Sequence, residues 1–402
     1  MSKNSIVTPL SLRGNDFNQV NLLKFLRPLH EKNKNAGFGV GQYAGGIAVA
    51  NAYNCGCYSP TQNRIYLSPL YQSSNATWHY IDCNTGAVVA YTTGLGTTLA
   101  AQAYSSMTYS PTQNRIYLTP YINATSATWH YIDCNTGAVV AYTHGATATG
   151  QAYSGAVYSP KQNRIYFAPY LQAAYINWHY LDCTTGAIVS YSAAILSATY
   201  VGAIYSPTQD RIYFVPFGMS SQANWHYLDC TTGVVVAYTH GFGTTIPANA
   251  YTGAVYSPTQ NRIYFMPRVI SSAAQWHYLD CNTGAVIAYT HGIGTTLLAN
   301  AYAAGCYSPL SNRIYLAPLG ISNSETWHYI DCNTGAVVPY NHGFGTTIPG
   351  SAYSGALYSP IQNKIFFIPQ GQSSQTNWHY VKEYSASENT VALMSGAMFN
   401  KY

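Results

Sequence analysis

Charge is what this sequence has least of. Asp, Glu, Lys and Arg together make up 7% of its 402 residues, against roughly 25% in an ordinary soluble domain. The formal charge of +5 is also uneven. Residues 1–35 hold Lys3, Arg13, Lys24, Arg27, Lys32 and Lys34 against Asp16 and Glu31, so this leader carries +4 and everything after it +1. A near-neutral body with no basic stripe cannot neutralise phosphates, which argues against nucleic acid as a partner. Long apolar runs are missing too. No stretch is fit to span a membrane, and the opening Met-Ser-Lys-Asn-Ser-Ile lacks the apolar core of a secretory signal. Synthesis and folding in a reducing cytoplasm are therefore expected. Carboxylates occur singly and far apart, so paired acid–base chemistry has no obvious seat. The chain has no phosphate loop, no Ser-His-Asp order and no glycine fingerprint. On these grounds we expect neither an enzyme nor a cofactor.

What the chain has instead is tyrosine, 40 residues of it, in a composition that is 48% hydrophobic. That hydrophobic content is enough for a packed core and rules out disorder as the reason for the low charge. The surface must be built from Ser, Thr, Asn, Gln, Gly and Tyr. Such a surface has little repulsion to keep copies apart, which favours dense assembly.

Every tryptophan sits in one repeated phrase, Trp-His-Tyr, at Trp78, Trp129, Trp178, Trp225, Trp276, Trp327 and Trp378. Each is preceded by Tyr-Ser-Pro and a near-constant Gln-Asn-Arg-Ile-Tyr. The Tyr-Ser-Pro tyrosines, from Tyr58 to Tyr358, are spaced by 51, 49, 47, 51, 51 and 51 residues. Repeats of this length with strand-like content mean an array or a closed ring.

One copy, residues 251–302, reads as four strands. Gly253–Ser257 is short and apolar, and Pro258 to Asn261 turns the chain. Arg262–Pro267 is a β-branched and aromatic strand ended by its proline, which cannot donate to a ladder. A variable loop leads to Trp276–Asp280. Asn282-Thr283-Gly284 makes a tight turn, and Ala285–Thr290 is the fourth strand. Apolar residues fall on both parities of these strands, so both faces of each sheet need cover. Neighbouring copies supply it. An open stack would need polar caps, which the terminal copies lack. The expected fold is all-β: a closed seven-bladed β-propeller of four-stranded antiparallel blades, residues 37–402, preceded by a leader of residues 1–36.

The order of Ser-Pro turn, Asn-Arg-Ile-Tyr strand, Ile-Asp-x-x-Thr-Gly turn and Val-Val-Ala strand, over roughly residues 50–381, resembles the YVTN-type repeat of β-propellers. The resemblance implies surface-layer, binding or scaffold roles and no particular ligand. The Trp-His-Tyr in every copy and the long loop before it depart from that pattern. The close likeness of the copies suggests recent duplication and a viral or surface protein.

The ends are less regular. Val381-Lys382-Glu383 replaces the usual Ile-Asp-Cys. Either Thr390–Phe399 or the N-terminal region could supply the last blade's outer strand, and residues 37–53 look like an inter-blade loop leading into the first inner strand. Asp16–Leu26 could form a short helix, in a leader that either packs on its own ring or reaches a partner as a docking arm.

The seven Trp-His-Tyr histidines are too far apart to converge on a metal ion, and a structural hydrogen bond between blades is expected of them. A second set, His144, His240, His291 and His342, is missing from two copies, with Thr93 and Ala193 near those places. Six cysteines at one repeat position, Cys83 to Cys332, are expected to be free. Cys55 and Cys57 form a lone Cys-x-Cys, a spacing open to a metal site as well as to plain packing. The arginine series (Arg64 to Arg313, then Lys364) and the aspartate series (Asp82 to Asp331, then none) change together, which suggests a pairing within each blade. Asn75 and Asn123 match a glycosylation pattern that the missing signal leaves without a context.

Function is expected where the copies differ. The turns at one end barely change, while the loops before each Trp vary freely. Relaxed drift in solvated loops gives the same pattern. The candidate partner- or ligand-binding residues are Tyr71, Tyr121, Tyr170, Tyr175, Phe217, Phe242, Arg268 and Phe344. Copy three, shortened at Ser192–Thr199, breaks the ring's symmetry at one place, which suits docking to a single asymmetric partner. The reading is a non-enzymatic structural or interaction ring in a large assembly such as a virus particle or surface layer, with protein partners or copies of itself. A multivalent lectin that holds glycans is the alternative, and an enzyme using the central channel a third.

Overall fold

In the computed structural model the described residues are 37–384, apart from Ile47 and residues 194–198. They form seven four-stranded antiparallel sheets. Blade I consists of Tyr53–Ser59, Arg64–Pro69, Thr77–Asp82 and Val88–Thr92. Blades II to VI repeat this order, with inner strands starting at Tyr104, Tyr153, Tyr200, Tyr251 and Tyr302. Each inner strand packs beside the next, and that of blade VII, Tyr353–Ser359, packs beside that of blade I. The ring is closed, and the fold expected from the repeats is the fold observed.

Blade VII closes with a strand from the other end of the chain. Its sheet runs Tyr353–Ser359, Lys364–Pro369, Asn377–Tyr384 and then Gly37–Ala44 as the outer strand. The registers Val40↔Val381 and Tyr43↔Trp378 copy Val88↔Ile81 and Tyr91↔Trp78 of blade I. The N-terminal alternative is therefore the one realised. Residues 37–44 are strand, not inter-blade loop, and Thr390–Phe399 lies outside the described residues. The glycines here are a steric need. A Cβ on Gly41 would lie 2.6 Å from the Tyr380 ring, and one on Gly45 2.5 Å from the Trp378 indole.

The seven tryptophans are fully buried, each between two blades. Trp178 of blade III meets Tyr200 and Phe214 of blade IV edge-on, at 6.2 and 5.5 Å. Trp378 meets Tyr53 across the closing seam at 6.1 Å. Truncating such a side chain costs about 3–5 kcal/mol. Towards the rim, three rings cluster in each blade. Tyr66 lies 5.5 Å from Tyr80 and 5.7 Å from Tyr91, and the Arg64 guanidinium lies over Tyr80 at 4.3 Å. This cluster, recurring from blade to blade, accounts for much of the tyrosine.

Two sequence expectations are corrected here. The arginines pair chiefly with tyrosine: each lies over the Tyr of Trp-His-Tyr in its own blade, and Lys364 does the same over Tyr380. Arg164 approaches Asp182 at 3.9 Å. The aspartates instead hold the turn that follows them. Asp82 Oδ1 accepts from the Asn84 N–H at 2.8 Å, and its carbonyl accepts from Gly86 at 2.6 Å. The Trp-His-Tyr histidines are bonded within a blade rather than between blades. Each meets the tyrosine that opens its own inner strand, as in Tyr251–His277 and Tyr302–His328, both at 2.7 Å.

The constant turns join neighbouring blades. Thr61 Oγ donates to Asn114 Oδ1 and to the Cys134 carbonyl of the next blade, both at 3.0 Å. Asn63, Asn114 and their counterparts take φ of 50 to 55°, a left-handed conformation that Asn tolerates best after Gly. Three seams depart from this pattern, one of them the closing seam between blades VII and I, where Ile361 takes the place of Thr. Lys161 replaces Thr and Asp210 replaces Asn across the blade III–IV seam, and the two form an ion pair of 3.5 Å. At the blade VI–VII seam Glu383 stands where other blades have Cys. It is buried and accepts hydrogen bonds from Ser308 and Ser311. The nine cysteines are all unpaired. Burial pushes the six repeated thiols up to about 11 or 12.

Candidate functional site

Strand order puts the loop before each Trp and the connector to the next blade at the same end of the ring. There they surround the mouth of the central channel, a cavity of about 800 Å³. Six of the seven loops begin with a one-turn 3-10 helix, and blade VI has a turn in its place. The loops vary in sequence but are tied down. Ser73 Oγ donates to the carbonyls of Leu70 and Ala100 and accepts from the Ala103 N–H, which fastens the loop to the connector. Ser220, Ser271 and Ser322 repeat this knot.

The second histidine set ties the same loops again. His291 stacks on Trp276 at 4.2 Å, donates from Nε2 to the Ala273 carbonyl at 2.7 Å and accepts at Nδ1 from the Ile293 N–H at 3.3 Å. His144, His240 and His342 make the equivalent contacts. In blade I, Thr93 reproduces both bonds, to the Ala76 carbonyl and from the Leu95 N–H, each at 3.2 Å. In blade III the position is Ala193, which has no side chain to do so. Most of copy three's shortened connector, residues 194–198, lies outside the described residues.

The residue after the second-strand proline reaches the mouth in every blade: Leu70, Tyr121, Tyr170, Phe217, Arg268, Leu319 and Gln370 all line it. Four of them form a continuous arc. Tyr121 and Tyr170 lie 6.1 Å apart, Tyr170 and Phe217 6.4 Å, and the Arg268 guanidinium lies 5.2 Å over Phe217. Arg268 Nε also donates to Asn300 Oδ1 at 3.1 Å. Tyr71 joins the lining from the next position, with its hydroxyl on the Gln102 amide at 2.5 Å. The inner strands contribute small residues below, among them Ser105, Gly155, Gly202 and Gly253.

Five of the eight sequence candidates thus meet at one place: Tyr71, Tyr121, Tyr170, Phe217 and Arg268. Tyr175 does not line the mouth and is exposed on the blade III loop, beside exposed Ile176 and Leu171. Phe242 and Phe344 lie in connectors, half-buried, 4.7 Å from His277 and His379 respectively. Both rings pack against those imidazoles. Sequence reasoning missed Leu70, Leu319 and Gln370, which the constant proline one residue earlier would have picked out.

Among the described residues Arg268 is the only charged side chain lining the cavity. Cys55 lines it as well, with a thiol pushed up by burial. Among the described residues no three His, Cys, Asp or Glu side chains are grouped to hold a metal ion, and no helix is long and apolar enough to cross a membrane. Asn123, one of the two glycosylation-pattern residues, already spends its amide on the Tyr104 hydroxyl and the Thr128 carbonyl, at 3.0 and 3.1 Å.

The chain is a seven-bladed β-propeller, and solved propellers resemble it in shape. A chain of a Mitotic Checkpoint Complex matches with a TM-score of 0.57 at 10% identity, over 96% of this chain and 97% of that one. The β-propeller domain of Cps50 (Swd1) from Myceliophteria thermophila matches with 0.55 at 9%, over 86% and 99%. U3-55K matches with 0.57 at 7%, over 86% and 98%. The sequence matches no protein-family profile and no curated protein sequence.

Proposed function

We propose that this ring is a non-enzymatic interaction module of the YVTN repeat type, a component of a large assembly such as a virus particle or surface layer. The loop end of the ring meets the partner. The observation that carries this reading is the mouth itself. Seven equivalent positions, most of them held by the same serine knot, carry five different residue types and converge on one cavity, while the opposite end keeps nearly constant turns that join blade to blade. Rigid presentation of variable side chains is how scaffolds serve recognition. Among the described residues the cavity lining holds no Asp, Glu, His or Lys, which leaves no acid–base couple there to act on a substrate. One of the similar solved structures is of a multi-protein complex, in keeping with an assembly role. Residues 1–36 fit this reading as a basic docking arm, and the protein is made in the cytoplasm.

The test is purification from the native source. Recovery in a fixed ratio with particle or layer proteins is the expected result. Recovery as a free monomer that turns over a small molecule would overturn the assignment.

A further inference from the structure

The mouth has a polarity that the fold does not require. Its aromatic arc spans blades II to IV, and the guanidinium of Arg268 follows at blade V. The other three ring positions are Leu319, Gln370 and Leu70. An occupant therefore meets apolar rings and a guanidinium on one side, and a site without rotational symmetry accepts it in one orientation. Arg268 has five N–H donors, and Nε alone is engaged by Asn300 among the described residues. The Nη donors suit a carboxylate, which Arg binds in a fork. Among the described residues no carboxylate lines the cavity to meet them.

A second feature lies next to this arc. Blade III's loop follows directly from Tyr170 and exposes Leu171, Tyr175 and Ile176, which are 42%, 53% and 56% accessible. It is also the loop whose histidine tether is replaced by Ala193. An apolar strip thus leads from the outside of the ring, over blade III, to the aromatic arc and then to Arg268.

We propose that the mouth anchors one protein segment, an aromatic or aliphatic side chain close to an Asp or Glu. The segment enters over Leu171, Tyr175 and Ile176, seats its apolar side chain against Tyr170 and Phe217, and pairs its carboxylate with Arg268. The proposal rests on the interaction role above and assigns that role a chemistry: the partner presents an acidic-apolar motif in an extended or loop conformation.

A phage-displayed library of random 12-residue peptides, selected on the full chain, tests this. The expected outcome is enrichment of Asp or Glu within two residues of Trp, Phe or Leu. Fluorescence polarisation with the selected peptides should show roughly thirtyfold weaker binding to Arg268→Gln and to Tyr170→Ala, the loss typical of a binding hot spot. Ile361→Ser, in the constant turn at the opposite end, should bind like the parent, and unchanged melting of all three variants confirms folding. Enrichment without acidic residues, or affinity indifferent to Arg268→Gln, overturns the proposal. So does a glycan array in which a carboxylated sugar binds and is lost with Arg268→Gln, an outcome that makes the mouth a lectin site. Native complexes that retain the Arg268→Gln protein in full ratio overturn the anchor yet leave the assembly role standing. Absence of any native complex with the unmodified protein is instead the failure of that role.

Discussion

Lowering the pH loads protons onto a fold built around neutral imidazoles. All eleven described histidines are held below the usual value, in each case chiefly because burial disfavours the charged form. Six of the seven Trp-His-Tyr histidines are lowered to about 4 from 6.5, and His79 is lowered as well. Their Nδ1 atoms meet the hydroxyls of buried tyrosines inside the blades, where an imidazolium would lose the water that stabilises its charge. The sign follows from linkage. Above 6.5 both folded and unfolded chains carry neutral histidine, and the stabilising contribution is complete. Between 6.5 and 4 the unfolded chain binds protons that the folded ring refuses, so stability falls as pH falls. One such group changes the unfolding free energy by about 1.4 kcal/mol per pH unit, so seven change it by roughly 10 kcal/mol per unit. Half that slope, allowing for relaxation and screening, still exhausts a typical 5–15 kcal/mol within about one to three units. The expected result is cooperative acid unfolding with a midpoint near pH 5. Equilibrium urea unfolding followed by tryptophan fluorescence, repeated from pH 7.5 to 4.5, measures the slope. His277→Asn should reduce it by about one proton. Stability that stays flat between pH 7 and 5 would refute the reasoning.

Three further outcomes are expected. Gly45→Val, which puts a side chain into the Trp378 indole, should destabilise the ring by about 1–3 kcal/mol, read as a lower melting temperature. Lys161→Thr and Asp210→Asn should each cost no more than about 1 kcal/mol, since the pair is half-exposed. Together they should recover most of that loss by restoring the Thr-to-Asn bond of other seams, and a double-mutant cycle measures the coupling. The six repeated cysteines should not react with Ellman's reagent at pH 8 in the native protein, because buried thiols with raised pKa supply little thiolate. All six should react once guanidinium unfolds it.

The ring was legible because the repeat states its own strand boundaries seven times. Trp-His-Tyr, the proline after Arg-Ile-Tyr and the Asn-Thr-Gly turn each mark an edge that the structure keeps. The closing strand was harder to read. Val40 and Tyr43 keep the spacing of Val88 and Tyr91, but Gly41, Gly45 and Gly46 surround them and make the stretch look like a loop. Those glycines answer to Tyr380, Trp378 and His79, which lie hundreds of residues away in sequence or across a seam. Arginine and aspartate face each other across the sheet in register, so a charge pair was a fair inference. The tyrosine ring lying between chain and solvent offered the guanidinium a better surface. At the mouth, the side chains were visible as variable residues, but only the ring's closure makes positions fifty residues apart into neighbours.

The pairing of Gly37–Ala44 with Asn377–Tyr384 also sets a schedule. During synthesis the strand that completes the circle is made first, and its partner about 340 residues later. At roughly 5–20 residues per second this is a wait of about 20–70 s. Blades can stack in order as they emerge, yet for that time an edge of blade I has no neighbour and the first strand has no sheet. A chain that ends before Tyr353 lacks blade VII and is left as an open arc, with Trp327 of its last blade stripped of Tyr353 and Phe367. Quality control can recognise such an arc. The same arc can also join to a second incomplete copy, so the clasp decides whether each chain becomes one ring or part of an aggregate.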